Sequence, residues 1–360
     1  MKLQLLSLRR AHATALAAVS AALAFGLAAP AHARAEAHTG AHAANPTLRE
    51  VAARTGRFVG TAVNDGRLGD GTYANIAKSE FSSVTAENAM KWGSVEPNRG
   101  QFNWAAADRL VSFAQANNQK VYGHTLVWHS QMPGWLENGS FSSTELRTIM
   151  TNHVTTQVTR YKGKVQRWDV VNEAFNENGT LRGSKFYNQL GQSYIADAFR
   201  AARAADPSAK LFINDYNTEG TNAKSDGLYN LVKSLKAQGV PIDGVGFQSH
   251  LIVGQVPSTM KANLQRFADL GVDVVLSELD IRMSTPADAA KLQQQANDYK
   301  TVARNCLAVA RCAGITVWGF GDRDSWVPGT FPGQGAANLY DTNYQPKPAY
   351  NAFRDGLAGS

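Results

Sequence analysis

Glu173 closes the run Val165-Gln-Arg-Trp-Asp-Val-Val-Asn-Glu, and Glu278 closes Asp273-Val-Val-Leu-Ser-Glu. Each run is rich in β-branched residues and delivers a carboxylate where a buried strand should open into a loop. Two carboxylates at one site can divide labour, one held protonated to donate to a departing oxygen and the other ionised to attack carbon. Such a pair is the minimum equipment for hydrolysing a glycosidic bond. Neighbouring apolar runs close on further polar and aromatic groups: Glu87, Asn88 and Lys91; His124, Trp128 and Gln131; Asn172 beside Glu173; Asp215 and Tyr216; Gln248 and His250; Asp280 beyond Glu278; Trp318, with Trp326 in the next loop. Singly, each has an ordinary explanation, since a strand-end Asn often caps a helix and a Trp such as Trp104 or Trp168 is usually core. Together they argue for chemistry, because stability alone does not ask for polar groups at the same end of successive strands.

The positioning elements are eight apolar runs, over 58–64, 83–88, 120–128, 165–173, 210–216, 244–250, 273–278 and 315–320. They are mostly continuous rather than alternating, as parallel strands covered on both faces should be. Helical patterns lie between them, over 105–118, 144–161, 189–205, 258–270, 286–311 and 348–357. A further one carries Leu228, Leu231, Val232 and Leu235 at i, i+3, i+4, i+7 and stops at Gly239 and Pro241. Eight strands alternating with helices specify an α/β fold, a (β/α)8 TIM barrel in one catalytic domain, with an open doubly wound sheet as the alternative. The alternative lacks its glycine-rich phosphate turn, because the segment from Gly60 to Gly66 has neither the spacing nor a helix directly behind it. In a barrel the active site lies at the C-terminal ends of the strands, where these polar groups fall.

On these residues the chain resembles the family 10 glycoside hydrolases, the endo-1,4-β-xylanases. Trp168-Asp-Val-Val-Asn-Glu173 is similar to the family's acid/base motif and Leu276-Ser-Glu-Leu-Asp280 to its nucleophile motif. Thr85-Ala-Glu-Asn-Ala-Met-Lys91, Gly123-His-Thr-Leu-Val-Trp-His129, Gly246-Phe-Gln-Ser-His250, Val317-Trp-Gly319 and Lys347-Pro-Ala-Tyr350 follow in the family's order. The resemblance implies a retaining mechanism on xylan and xylo-oligosaccharides, with Glu173 as general acid/base and Glu278 as nucleophile. It implies that His250 and Asp280 orient Glu278 and keep it ionised, and that Asn172 bonds the 2-hydroxyl of the sugar being cleaved. Glu87, Asn88, Lys91, His124 and Gln248 match polar contacts to sugars on the non-reducing side, and Gln131 and Tyr216 complete the substrate-binding set. Trp128, Trp318 and Trp326 offer faces to sugar rings, and the last two restrict space beyond C5, which favours xylose over glucose. One departure is Val327 after Trp326, where many relatives carry arginine.

The 360 residues carry a formal charge of +7. Lys2, Arg9 and Arg10 precede an Ala/Leu-rich stretch over 13–29, and Ala31-His-Ala33 supplies small residues for cleavage. We expect a secretory leader over 1–33, a flexible tail over 34–44 and the catalytic barrel over 45–360. The protein is then extracellular, off the membrane once the leader is removed, and monomeric. Cleavage takes three basic residues and no acid, and the mild excess left, without a Lys/Arg run or helix-turn-helix pattern, excludes nucleic acid as a partner. The two cysteines, Cys306 and Cys312, are expected to pair in an oxidising compartment, tying a helix end to the next strand. No His-x-His pair ends the first strand and no Glu-flanked histidine pair lies on a helix, so neither metal nor cofactor is expected. The competing functions are a β-1,4-glucanase using the same glutamates and a catalytically dead polysaccharide-binding barrel. The second would normally have lost one carboxylate.

Overall fold

The computed structural model describes residues 45–359. The leader expected over 1–33 and the tail expected over 34–44 lie outside the described residues. Eight strands, β1 (Phe58–Val63), β2 (Ser83–Ala86), β3 (Lys120–Gly123), β4 (Val165–Asn172), β5 (Lys210–Asp215), β6 (Gly244–Phe247), β7 (Asp273–Ser284) and β8 (Cys312–Val317), pair in parallel with their sequence neighbours. β8 pairs with both β7 and β1, which closes the sheet into a (β/α)8 barrel. Among the described residues, no helix is long and apolar enough to cross a membrane.

The helices between strands follow the apolar periodicity. In Ala223–Ala237 the buried face is Leu228, Leu231, Val232 and Leu235, and Asn222 with Ser225 forms a capping box at its start. Tyr122, Phe212 and Val275, one each from β3, β5 and β7, make a small apolar cluster separate from the main core. A layer drawn from alternate strands is how a barrel of this size fills its interior. Gly123 and Gly244 make room for large neighbours: a Cβ on Gly123 would sit 2.2 Å from the Trp168 ring, and one on Gly244 would sit 2.1 Å from the Phe212 ring. Any side chain there would collide with the barrel wall.

Several boundaries differ from the sequence expectation. The run over 120–128 is β3 plus a separate Val127–Trp128 segment, because Thr125 and Leu126 both bond to the Asp169 carbonyl and break the ladder. The run over 244–250 ends at Phe247; Ser249 is left-handed (φ 64°), and His250 opens a short strand, His250–Ile252. β7 does not stop at Glu278 but runs to Ser284, since its outer half finds new partners in His250–Ile252 and Gln334–Gly335. β8 begins three residues before the expected 315 and ends at Val317, before Trp318. The helix expected over 189–205 is two, Lys185–Leu190 and Ser193–Ala205, divided at Gly191 (φ 67°). A helix over Gly71–Glu80, absent from the expectation, follows β1; only Tyr73 and Ala77 are buried on it, too narrow a stripe for a periodic signal.

Cys306 and Cys312 form a disulfide from the helix Ala289–Leu307 to the first residue of β8. Both are buried, so the bridge is part of the core behind the barrel.

Candidate active site

The C-terminal strand ends surround a cavity of about 610 Å³. Glu87, Asn88, Lys91, His124, Trp128, Gln131, Asn172, Glu173, Tyr216, Gln248, His250, Glu278, Trp318 and Trp326 all line it. Asp280 lies behind the wall, fully buried, with Oδ2 3.0 Å from His250 Nδ1 and accepting the Trp326 indole N–H at 2.7 Å. Of the groups named at the ends of the apolar runs, only Asp215 and Asp280 stand off the lining, both fully buried behind it.

Glu278 is held by several partners at once. Its Oε1 accepts from Asn214 Nδ2 at 2.8 Å, and its Oε2 lies 3.1 Å from His250 Nε2. His124 Nδ1 stands 3.9 Å from Oε1. Its side chain is 6 % exposed, and burial would push the carboxyl pKa up. The charge of His124 and the hydrogen bond and charge of His250 outweigh that and hold it below the usual carboxylate value. His250 responds in the opposite sense: burial disfavours the imidazolium, but the Asp280 and Glu278 carboxylates raise its pKa to about 10. At neutral pH His250 is therefore an imidazolium held against the Glu278 carboxylate.

Glu173 follows the last residue of β4 and sits in the left-handed region (φ 57°), its N–H bonded to Asn214 O at 2.8 Å. A non-glycine residue held there is strained, by about 1 kcal/mol or more, and needs its surroundings to keep it. Its carboxylate meets neutral donors, the Trp128 indole N–H at 2.8 Å on Oε2 and Gln248 Nε2 at 3.1 Å on Oε1. At 14 % its side chain is more exposed than that of Glu278. The two carboxylates thus face one cavity from contrasting surroundings, Glu278 ion-paired and more deeply buried, Glu173 among neutral donors and more exposed.

Amide groups connect them. Asn172 Oδ1 accepts from Gln248 Nε2 at 3.3 Å and from Asn214 Nδ2 at 2.9 Å, which leaves the Asn172 NH2 as the donor available to the cavity. Lys91 bonds Asn88 Oδ1 at 2.8 Å and lies 5.1 Å from the Trp128 ring centre. Burial lowers its pKa, opposed by Glu278, Glu87 and Glu173. On the other side of the mouth Tyr216 receives a hydrogen bond from Arg182 at 2.8 Å and packs against Lys224, which pairs with buried Asp215 at 3.0 Å. Burial raises the Asp215 pKa to about 7 in spite of that lysine.

Over residues 47–356 the chain matches Glycosyl hydrolase family 10. It belongs to that family. Among its relatives, an endo-1,4-β-xylanase of Agaricus bisporus is 51% identical over 312 residues, covering 86% of this chain and 94% of its own. Endo-1,4-β-xylanase A of Phanerodontia chrysosporium is 47% identical over 321 residues, covering 88% and 79%. The crystal structure of xylanase 10B from Thermotoga petrophila RKU-1 in complex with xylobiose has a TM-score of 0.86 at 41% identity, covering 88% of this chain and 99% of that one.

This family 10 site also contains residues that the sequence reading passed over. Asn217, Arg282 and Phe331 line the cavity, Asn214 and Asp169 lie beneath it, and His129 approaches Glu173 to 3.9 Å. Asn214 had a signal: it stands two residues after Phe212 in an otherwise apolar run, and the period of a strand turns both to the barrel interior. Asp169 had the same one, a carboxylate between Trp168 and Val170 in mid-strand. It accepts from Tyr122 Oη at 2.8 Å and lies 2.9 Å from His124 Nδ1, locking the ring that faces Glu278. Arg282 and Phe331 come from segments with no strand-end signature, and only the fold brings them in.

Proposed function

We propose that this chain is a secreted, retaining endo-1,4-β-xylanase that hydrolyses internal β-1,4-xylosidic bonds of xylan by double displacement. The observation that carries the reading is the pair of carboxylates on one cavity in opposed environments. Glu278 is buried and charge-compensated, as a nucleophile must be; Glu173 faces the same cavity with no cation hydrogen-bonded to it, which leaves it the acid/base of the pair.

In the first step Glu278 attacks the anomeric carbon while Glu173 gives its proton to the departing sugar oxygen, leaving a covalent glycosyl-enzyme. The bond consumes the charge on Glu278, so the proton affinity of Glu173 falls and it becomes the base that activates water. Retention requires the carboxyls to stand about 5 to 5.5 Å apart. The free NH2 of Asn172 serves the 2-hydroxyl, where a hydrogen bond strengthens as positive charge develops at the anomeric carbon. Glu87, Asn88, Lys91, His124 and Gln248 hold the sugars on the non-reducing side. Trp128 presents a ring face, Gln131 and Tyr216 complete the binding set, and Trp318 with Trp326 closes the space a hexose CH2OH would need.

The partners are xylan and xylo-oligosaccharides, and the enzyme works as an extracellular monomer detached from the membrane. Support for export comes from the leader-like first 33 residues and the paired cysteines. The direct test compares hydrolysis of xylan and carboxymethylcellulose and identifies the products. Xylo-oligosaccharides of several lengths, with little action on cellulose, are expected. A preference for cellulose, or release of xylose alone from chain ends, would overturn the reading.

A further inference from the structure

Ser249 stands between the two residues that grip the opposing carboxylates. Gln248 on one side bonds Glu173 at 3.1 Å, and His250 on the other meets Glu278 at 3.1 Å. Both reach their targets only because the chain turns sharply at Ser249, which is fully buried and left-handed (φ 64°). A serine does not settle in that region unaided, so something must hold it.

The holder is Glu219. This carboxylate is 3 % exposed, does not line the catalytic cavity, and accepts the Ser249 N–H on Oε1 at 2.7 Å. A buried carboxylate with a short bond to one backbone N–H is a strong, directional contact. Glu219 is itself anchored from outside the barrel: Asn263, fully buried on the helix Met260–Asp269, donates to the carbonyls of Thr218 at 2.7 Å and Glu219 at 3.0 Å. The turn is pinned on its other side by β7, where Glu278 N–H bonds Gln248 O at 2.9 Å and Asp280 N–H bonds Ser249 O at 3.3 Å.

We infer that Glu219 is a positioning residue for both carboxylates at once: by holding the Ser249 N–H it fixes the turn from which Gln248 reaches Glu173 and His250 reaches Glu278. The inference rests on the proposed roles of those two glutamates. If the anchor is withdrawn, Ser249 relaxes toward an ordinary backbone conformation, and the side chains on either side swing away from their carboxylates. Substrate binding is mostly spared: Gln248 is displaced, but Glu87, Asn88, Lys91 and His124, which follow β2 and β3, do not depend on this turn.

The test separates reach from charge. Glu219→Asp keeps the charge but withdraws the carboxylate by one methylene; Glu219→Gln keeps an acceptor at full reach and drops the charge. With a xylo-oligosaccharide as substrate, E219D is expected to lose kcat by about tenfold or more. Its KM stays within about threefold, and the acid limb of kcat/KM moves to higher pH as His250 loosens from Glu278. E219Q is expected to stay within about threefold of the parent, with the acid limb unmoved. The inference fails if E219D matches the parent in kcat and acid limb, or if E219Q loses as much as E219D. Should E219D not fold, E219Q decides alone, retained rates supporting the inference and lost rates overturning it. Glu278→Ala is assayed in parallel. Turnover by E278A would remove the nucleophile assignment and this inference with it, whereas an inactive E278A beside a parent-like E219D would remove only the inference.

Discussion

His250 presents Nε2 to Oε2 of Glu278 at 3.1 Å while its Nδ1 lies 3.0 Å from Oδ2 of Asp280. The ring is a cationic bridge between a carboxylate facing the cavity and one sealed behind the wall. Its pKa of about 10 keeps it charged wherever Glu278 must be ionised. Asp280 thereby acts on the proposed nucleophile from a fully buried position.

Replacing Asp280 with Asn removes the sealed charge and lowers the proton affinity of His250. Glu278, whose folded pKa is depressed, then loses part of the field that depresses it. The sign follows: a nucleophile with a higher pKa is ionised over a narrower range, so the acid limb of kcat/KM moves up, by about one pH unit. A pH profile from 3 to 9 on a xylo-oligosaccharide checks it. A limb that stays in place or moves down would show that Asp280 does not act through His250.

Glu173→Ala removes the proposed proton donor and leaves Glu278 its Asn214 and His250 partners. Loss of general acid catalysis costs about 100- to 10,000-fold on xylan, whose sugar leaving group needs the proton. An aryl xylobioside with an acidic phenol leaving group should lose far less in its first step. Equal losses on both substrates would contradict the acid role.

Trp326→Ala removes the indole N–H that bonds Asp280 at 2.7 Å and, in the proposed mode of binding, opens the space beyond C5. Activity on xylan should fall, while the ratio of cello- to xylo-oligosaccharide hydrolysis should rise by about tenfold, within the range a pocket gains from admitting a small group. The two kcat/KM values measure it. An unchanged ratio would assign xylose selectivity elsewhere.

The disulfide closes a short loop, with Cys306 and Cys312 six residues apart. Chain-entropy reasoning gives about 2 kcal/mol for a loop of this length. The double variant C306S/C312S should unfold at lower denaturant by that amount and keep kcat near the parent value, since neither cysteine approaches the cavity. Loss of kcat at full folding would show that the bridge positions the strand ends.

What the sequence made legible was whatever closes an apolar run. Glu173, Glu278 and their neighbours were readable because polar groups closing apolar runs have few other reasons to be there. The barrel followed from the alternation of runs. Hidden from the sequence was everything set by packing across it. Asn214 and Asp169 look like interruptions of strands until the closed barrel turns them under the cavity. β7 continues past Glu278 only because His250–Ile252 and Gln334–Gly335 come alongside, and nothing local announces partners more than 25 residues away. Glu219 stands in a loop, and its importance lies in one N–H contributed 30 residues later.

The central claim is that Glu278 bonds to the sugar. A 2-deoxy-2-fluoro xylobioside with an activated leaving group slows both steps, the second more, and traps the covalent intermediate for peptide mass spectrometry. The expected result is one xylobiosyl adduct on the peptide containing Glu278, with sugar released from the normal substrate first as the β-anomer. An adduct on Glu173 or on another residue, or first release of the α-anomer, would contradict the account.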